Sequence, residues 1–276
     1  MLRAAGHEVI LFSGRHGAPE RLSDGTLVLP CVADPYGNDV ILGHAGATGV
    51  DLVITLMDPH VLRPEVYGQL PWCAWAPIDC SPPMWDTLRS LWDARWVWAP
   101  SRFVEEELRR AKSSGVSDFF ITEDSHSKPG LDRVAYVPHG VPSNIYRPQD
   151  RTEARRTLSS TVKVDLNGKY LVVMCAANKS SPSRKGFFEA FSAFKKFSDN
   201  RADAVLYVHT ESCGAVGGEN LHRIEHLVGL TPGKVIYPSQ FEYVCGMICR
   251  DYLAQVYSAA DVYLSASHGE GFGLGS

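Results

Sequence analysis

The sequence has no long apolar run and no closely paired cysteines. Hydrophobic residues make up 45% of its 276 residues and charged residues 21%, and no stretch approaches the roughly 20 apolar residues that a membrane span needs. Its seven cysteines include no Cys-x-x-Cys pair, so neither a zinc site nor a disulfide framework is indicated. No apolar region resembling a secretory signal follows Met1. We therefore expect reduced thiols in a cytoplasmic protein.

Several enzyme motifs are also missing. The sequence contains no Gly-x-x-x-x-Gly-Lys-Ser/Thr, no His-Glu-x-x-His and no Gly-x-Ser-x-Gly, which leaves P-loop ATPases, zinc proteases and α/β-hydrolases without support. The net charge of −4 predicts no broad basic surface, so nucleic acid is not an expected partner. A glycine-rich segment at the end of the sequence follows a late strand, which argues against an NAD site.

The length favours two domains. Residues 138–151 are dense in turn formers and are the best candidate for a linker, so we predict domains over 1–147 and 148–276. Strands are expected in the first domain at 8–12, 52–57, 72–76, 96–99 and 134–137, with a helix at 101–111. In the second domain strands are expected at 170–177, 204–210, 234–238 and 262–267, and helices at 186–197, 220–228 and 251–260.

Strands that alternate with helices of about ten residues indicate parallel, doubly wound sheets. The predicted fold class is therefore α/β, with two Rossmann-like domains that face each other across a cleft. A ligand in such a fold binds outside the carboxyl ends of the strands.

The loop after the first strand of the second domain carries three cations, Lys179, Arg184 and Lys185. They precede a predicted helix, whose unpaired N–H groups and dipole favour anions at its N-terminus. A diphosphate would fit there. The alternative is a solvated basic turn, because lysine and arginine are usually exposed.

The last segment of the sequence carries one carboxylate among glycines. Glu270 follows a predicted strand, and Gly271 and Gly273 flank Phe272. Glycine lets the backbone approach a ligand closely, so this loop is either part of a ligand site or a plain tight turn.

All six tryptophans lie between residues 72 and 98. Aromatic faces stack on sugar rings, but large aromatic side chains also fill cores. We assign Trp92, Trp96 and Trp98 to the core and leave Trp72, Trp75 and Trp85 open between the two roles.

Other polar side chains follow predicted strands. Asp79 lies in a proline-rich loop after Trp75 and is either a proton acceptor or a loop cap. Asp58 and His60 follow an earlier strand, where a cleft position and a surface turn explain them equally well. His139 lies at the domain junction, where it faces the donor or caps a turn.

Together these motifs resemble glycosyltransferase family 4. They are Glu270-Gly-Phe-Gly-Leu, the preceding residues 256–265, Arg184-Lys185-Gly186 and Val137-Pro-His-Gly-Val141, in the order of that family. The resemblance implies the GT-B fold and metal-independent transfer of a sugar from a nucleotide donor with retention of configuration.

The resemblance also implies roles for single residues. Lys185 and Lys179 would hold the leaving diphosphate, and Glu270 would contact the transferred sugar. Lys179 stands where arginine is common, Pro142 stands where aspartate is common, and the glutamate expected at position 278 lies beyond Ser276. The first strand and glycine-rich loop of the family would precede Leu2.

The function expected from the sequence is therefore a retaining hexosyltransferase that uses a UDP- or GDP-sugar and a hydroxyl acceptor, with no cofactor and no metal. Asp79, Lys185 and Glu270 are the catalytic candidates. Either Asp79 or a donor phosphate oxygen accepts the proton of the attacking hydroxyl. Alternatives are a truncated nucleotide-binding fragment with little activity and a GT-B phosphorylase or epimerase. Peripheral membrane contact is left open.

Overall fold

The computed structural model describes residues 2–113 and 129–275. The chain divides into two compact units, Met1–Pro138 and His139–Ser276. The division lies at the start of the turn-rich segment. The domain boundary predicted at 147/148 stays a prediction.

The first unit is an α/β unit whose described strands form two sheets. One sheet has the order β1-β3-β2, in which β1 and β3 are parallel and β2 is antiparallel to β3. The other has the order β4-β5-β6-β7 and is parallel throughout. The strands are β1 (Ile10–His16), β2 (Glu20–Arg21), β3 (Leu27–Cys31), β4 (Val53–Leu56), β5 (Trp72–Trp75), β6 (Trp96–Ala99) and β7 (Val134–Tyr136).

Helices and 3-10 turns connect these strands. The described helices are α1 (Ile41–Thr48), α2 (Pro64–Tyr67), α3 (Trp85–Trp92), α4 (Arg102–Ser113) and α5 (Pro129–Asp132), and the 3-10 turns are Arg3–Ala5 and Pro59–Val61. α4 buries Val104, Leu108 and Ala111 at helical spacing, so one apolar face packs on the sheet.

The second unit has one parallel sheet of order β10-β9-β8-β11 among its described residues. β8 carries an almost unbroken apolar run, as expected for a strand covered on both faces. The strands are β8 (Tyr170–Cys175), β9 (Ala204–His209), β10 (Val235–Ile236) and β11 (Val262–Tyr263).

Helices cover both faces of this sheet. Phe187, Phe191 and Phe194 of α7 belong to one buried cluster, whereas Leu158 of α6 and Val256 of α10 belong to another. This is the doubly wound arrangement that the sequence predicts. The helices are α6 (Arg151–Val162), α7 (Phe187–Ser198), α8 (Leu221–Leu227), α9 (Gln240–Val244) and α10 (Arg250–Ala259).

Several elements were not predicted from the sequence, namely β2, α1, α2, α3, α5 and α9. The sequence did not indicate β3, although it is buried, or α6, whose N-cap Asp150 accepts a hydrogen bond from the Glu153 N–H at 2.8 Å. The strand predicted at 262–267 is shorter, because the chain leaves the sheet after Tyr263. The residues that follow bond to the loop after β8 instead.

Gly186 is a point of close approach between these two segments. It precedes α7 with φ of 64°, in the left-handed region, and a Cβ there would collide with the carbonyl oxygen of Ala266. Only glycine satisfies both the dihedral angle and the close approach.

We expect Gly186→Ala to lower the free energy of unfolding by about 2–4 kcal/mol, since it adds a collision to the cost of a left-handed alanine. Gly168 is the matched control: its φ is 67°, and nothing lies within 4 Å of an added Cβ. Gly168→Ala should cost only about 1–2 kcal/mol. Equal losses in denaturant titrations of the two variants would contradict the close approach.

Candidate functional site

The carboxyl ends of β8 and β11 lie side by side. The two strands pair in parallel, with Tyr263 opposite Val173, so the segments that follow them leave the same edge of the sheet. The backbone N–H of His268 donates to the carbonyl oxygen of Arg184 at 2.9 Å. The loop after β8 and the segment after β11 are thus joined through their backbones.

This arrangement brings Lys185 and Glu270 into contact. The Lys185 ammonium donates a hydrogen bond to Glu270 Oε1, and Ser267 Oγ donates to the same oxygen at 2.7 Å. Arg184 Nη1 lies 3.9 Å from Glu270 Oε2 and also donates to the Gly269 carbonyl oxygen. Two cations and one carboxylate therefore form a single cluster.

The cluster is partly shielded from water. The Lys185 side chain is 20% exposed, that of Glu270 35% and that of Arg184 49%. Partial burial opposes ionisation of Glu270, but hydrogen bonds from Lys185 and Ser267, with the charges of Lys185 and Arg184, hold its pKa below the usual value. Glu270 is therefore ionised at neutral pH, and the cluster carries a net positive charge that suits an anion.

Lys179 lies at the other end of the same loop. It is exposed, and a Cβ added at Gly217 would lie 3.6 Å from its carbonyl oxygen. The preceding residue, Asn178, is 2% exposed. The structure thus brings Arg184 and Lys185 to Glu270, whereas the backbone of Lys179 lies beside the loop after β9.

The glycine loop continues beyond this cluster. Gly273 has a φ of 79°, in the region that favours glycine. The ring of Phe272 meets the ring of His139 edge to face, with centroids 5.0 Å apart. Burial lowers the pKa of His139, so the imidazole is neutral at pH 7. The ring contact places His139 against the glycine loop that is predicted to bind the donor. Ser276 lies outside the described residues.

The predicted residues of the first unit follow two neighbouring strands. Asp58 comes after β4 and Asp79 after β5, and both are exposed. His60 Nδ1 lies 3.2 Å from Thr87 Oγ1, and Trp75 Nε1 donates to the Val137 carbonyl oxygen at 2.9 Å. Because β4 and β5 are parallel and adjacent, these residues share one edge of the sheet.

Two of the tryptophans left open have a structural role. Trp72 is fully buried, stacks on Tyr67 and donates to Thr55 Oγ1 at 2.8 Å. Trp85 packs edge to face on Trp92, with ring centroids 5.0 Å apart. Trp72 is a core residue.

Asn178 and Glu211 form a polar brace that sequence reasoning missed. Asn178 Nδ2 donates to the carbonyl oxygens of Glu211 and Glu219, at 2.9 and 2.7 Å, and its Oδ1 accepts from the Glu219 N–H at 2.9 Å. The buried Glu211 carboxylate accepts three backbone N–H bonds from residues 213–215. The only sequence signal was a carboxylate followed by glycines after β9.

A pocket of about 920 Å³ also lies in the second unit. It is bounded by Cys175 at the end of β8, by Tyr257 of α10 and by Leu274 after the glycine loop, with Tyr146, Arg147 and Arg250 at its wall. Burial raises the pKa of the Cys175 thiol to about 11, so it is not a thiolate at neutral pH. This pocket was not predicted from the sequence.

None of the helices within the described residues has the length and apolar character to cross a membrane. Among these same residues, no three His, Cys, Asp or Glu side chains are grouped so that they could hold a metal ion.

Comparison with known proteins gives similarity in structure and not in sequence. No family model matches the chain, and no significant match is found among curated proteins. The structure is similar to trehalose-6-phosphate from E. coli bound with UDP-2-fluoro glucose, with a TM-score of 0.61 and 15% identity over 98% of this chain and 74% of that chain.

Two further structures extend this result. One is a UDP-forming alpha,alpha-trehalose-phosphate synthase from Burkholderia vietnamiensis, with a TM-score of 0.58 and 14% identity over 98% of this chain and 73% of that chain. The other is the N-terminal domain of a Candida albicans trehalose-6-phosphate phosphatase, with a TM-score of 0.53 and 14% identity. The match covers 85% of this chain, which spans only 55% of that one.

At these identities the similarity concerns the fold. The α/β fold class with two parallel-sheet domains, as in GT-B glycosyltransferase structures, is confirmed. The similar structures are those of trehalose-phosphate synthases and a phosphatase domain, so membership of glycosyltransferase family 4 stays a prediction.

A partly buried histidine ends β9 near the brace. His209 Nδ1 lies 3.1 Å from the Tyr207 hydroxyl, and its ring packs against Tyr243 and Tyr252 at 5.3 and 6.2 Å. Burial lowers the pKa of His209 to about 4. The native state therefore holds this imidazole neutral.

Since the unfolded chain protonates this histidine at a higher pH than the native state does, stability should fall as the pH drops from 6.5 towards 4. The loss from His209 amounts to at most about 3 kcal/mol. His209→Phe keeps the aromatic packing, and Tyr207 retains its bond to the Tyr252 hydroxyl. Urea titrations at pH 7 and 4 should show a smaller loss in the variant. Parallel losses would contradict a neutral native His209.

Proposed function

We propose that this chain is the nucleotide-sugar-dependent part, or the whole, of a glycosyltransferase. It transfers a hexose from a UDP- or GDP-sugar to a hydroxyl acceptor with retention of configuration. The observation that carries the proposal is the cluster of Arg184, Lys185 and Glu270 at the carboxyl edge of a parallel sheet. Similarity to a structure bound with UDP-2-fluoro glucose supports it and makes UDP-glucose the first donor to test.

The cluster offers the charges that this reaction needs. Breaking the bond between the sugar and the diphosphate places negative charge on the departing phosphate oxygens. Lys185 and Arg184 are held in place by the loop after β8, so their positive charge is already positioned when that charge develops. No metal is required in this scheme, because the two side chains neutralise the leaving group.

Glu270 has a different role in this proposal. A carboxylate accepts hydrogen bonds from sugar hydroxyls, and Glu270 lies within reach of the same ammonium that binds the diphosphate. It would therefore hold the transferred sugar beside its leaving group. Lys179 adds charge at the far end of the loop, and residues 271–273 line the donor. Asp79 and a donor phosphate oxygen remain the two candidates for accepting the proton of the attacking hydroxyl.

Lys185→Ala should weaken binding of UDP and of pyrophosphate about tenfold or more, because it removes a partly buried charge from the anion site. Lys195→Ala is the control: Lys195 lies in α7 of the same unit and pairs with Asp199 at 2.6 Å. Its loss should leave the affinity unchanged. Isothermal titration gives both constants, and equal effects of the two variants would rule out the cation site.

Transfer itself is tested with UDP-glucose and a panel of hydroxyl acceptors, including sugar phosphates. We expect a glucoside that has the anomeric configuration of the donor, read from the anomeric proton coupling. A product of inverted configuration would contradict the proposal. Glucose 1-phosphate formed from free phosphate, or an epimerised nucleotide sugar formed without acceptor, would instead indicate a phosphorylase or an epimerase.

A further inference from the structure

The diphosphate site described above is occupied by a group of the chain itself. The Lys185 ammonium, which the proposed function assigns to the donor diphosphate, donates its hydrogen bond to Glu270 Oε1. Ser267 Oγ holds the same oxygen at 2.7 Å. An incoming diphosphate must therefore compete with a carboxylate that is already in place.

The two carboxylate oxygens of Glu270 differ in their surroundings. Oε1 accepts from Lys185 and Ser267, whereas among the described residues Oε2 has the longer contact of 3.9 Å to Arg184. Ser267 alone can retain Oε1 if the ammonium leaves. Glu270 can thus exchange Lys185 for another donor without becoming unpaired, so that exchange does not leave a partly buried charge unsatisfied.

We propose that Glu270 is the residue by which this site distinguishes a nucleotide sugar from a free nucleoside diphosphate. This inference rests on the proposed function. A sugar brings hydroxyl donors that bond to the carboxylate, so Glu270 turns from Lys185 and the full ammonium charge meets the diphosphate. A nucleoside diphosphate has no such group at that place. The nucleoside diphosphate therefore meets a Lys185 whose charge Glu270 partly neutralises, and the Glu270 carboxylate repels it.

The exchange also bears on the end of the reaction. Once the sugar has moved to the acceptor, Glu270 loses its hydroxyl partners and pairs again with Lys185. The ammonium then holds the remaining nucleoside diphosphate less strongly. Glu270 is therefore a specificity residue that favours the donor over the product.

The test compares pyrophosphate, UDP and UDP-glucose by isothermal titration to the wild-type chain and to Glu270→Gln. Removing the competing charge should tighten pyrophosphate and UDP binding roughly three- to tenfold. The affinity for UDP-glucose should not increase. The ratio of the affinity for UDP-glucose to the affinity for UDP therefore becomes smaller in the variant. Asp199→Asn, which removes the Lys195 ion pair elsewhere in the unit, should change none of the three affinities.

Glu270→Ala provides a second variant if Glu270→Gln fails to fold, and the same tightening is expected. Unchanged or weaker UDP binding in the folded variant would overturn the inference. The variant Lys185→Gln distinguishes a failure of this inference from a failure of the proposed function. If Lys185→Gln weakens pyrophosphate binding while Glu270→Gln does not strengthen it, only the inference fails. If Lys185→Gln has no effect on pyrophosphate, the cation site itself is wrong.

Discussion

The parallel pairing of β11 with β8 is the constraint on which the candidate site depends. It sets Val262 opposite Val172 and Tyr263 opposite Val173, and the backbone of Gly186 then lies against Ala266. A partly exposed ion pair contributes only about 1 kcal/mol or less, so the attraction between Lys185 and Glu270 is too weak to bring the two segments together. The sheet and the backbone contacts position these side chains.

The rest of the carboxyl edge is held in the same way. Asn178 fixes the start of the loop after β8, and Glu211 fixes the loop after β9. The Gln240 side chain forms hydrogen bonds with backbone groups of Thr210, Ser212 and Pro238. Each of these side chains binds backbone groups and so orients a loop at this edge. Polar groups that are already oriented need little rearrangement when a charged ligand arrives.

Much of this fold could be predicted from the sequence because apolar strands and amphipathic helices alternate in the second unit. α6 was missed because its helix is rich in arginine and buries little besides Ala154 and Leu158. The adjacency of Lys185 and Glu270 followed from their places after strands. The hydrogen bond from Ser267 to Glu270 could not be predicted, since it depends on where the chain leaves the sheet. The hydrogen bonds of Asn178 could not be predicted either, because they depend on how the loops after β8 and β9 approach each other.

The tryptophans have a practical consequence for spectroscopy. All six lie between residues 72 and 98, within the unit Met1–Pro138, and none is in the other unit. Indole emission therefore reports directly on one half of the molecule. Trp72 is buried, and Trp75 is partly exposed to solvent. Fluorescence and far-ultraviolet circular dichroism observe different parts of the chain. If the melting curves from fluorescence and circular dichroism differ, they resolve the unfolding of each half without any label.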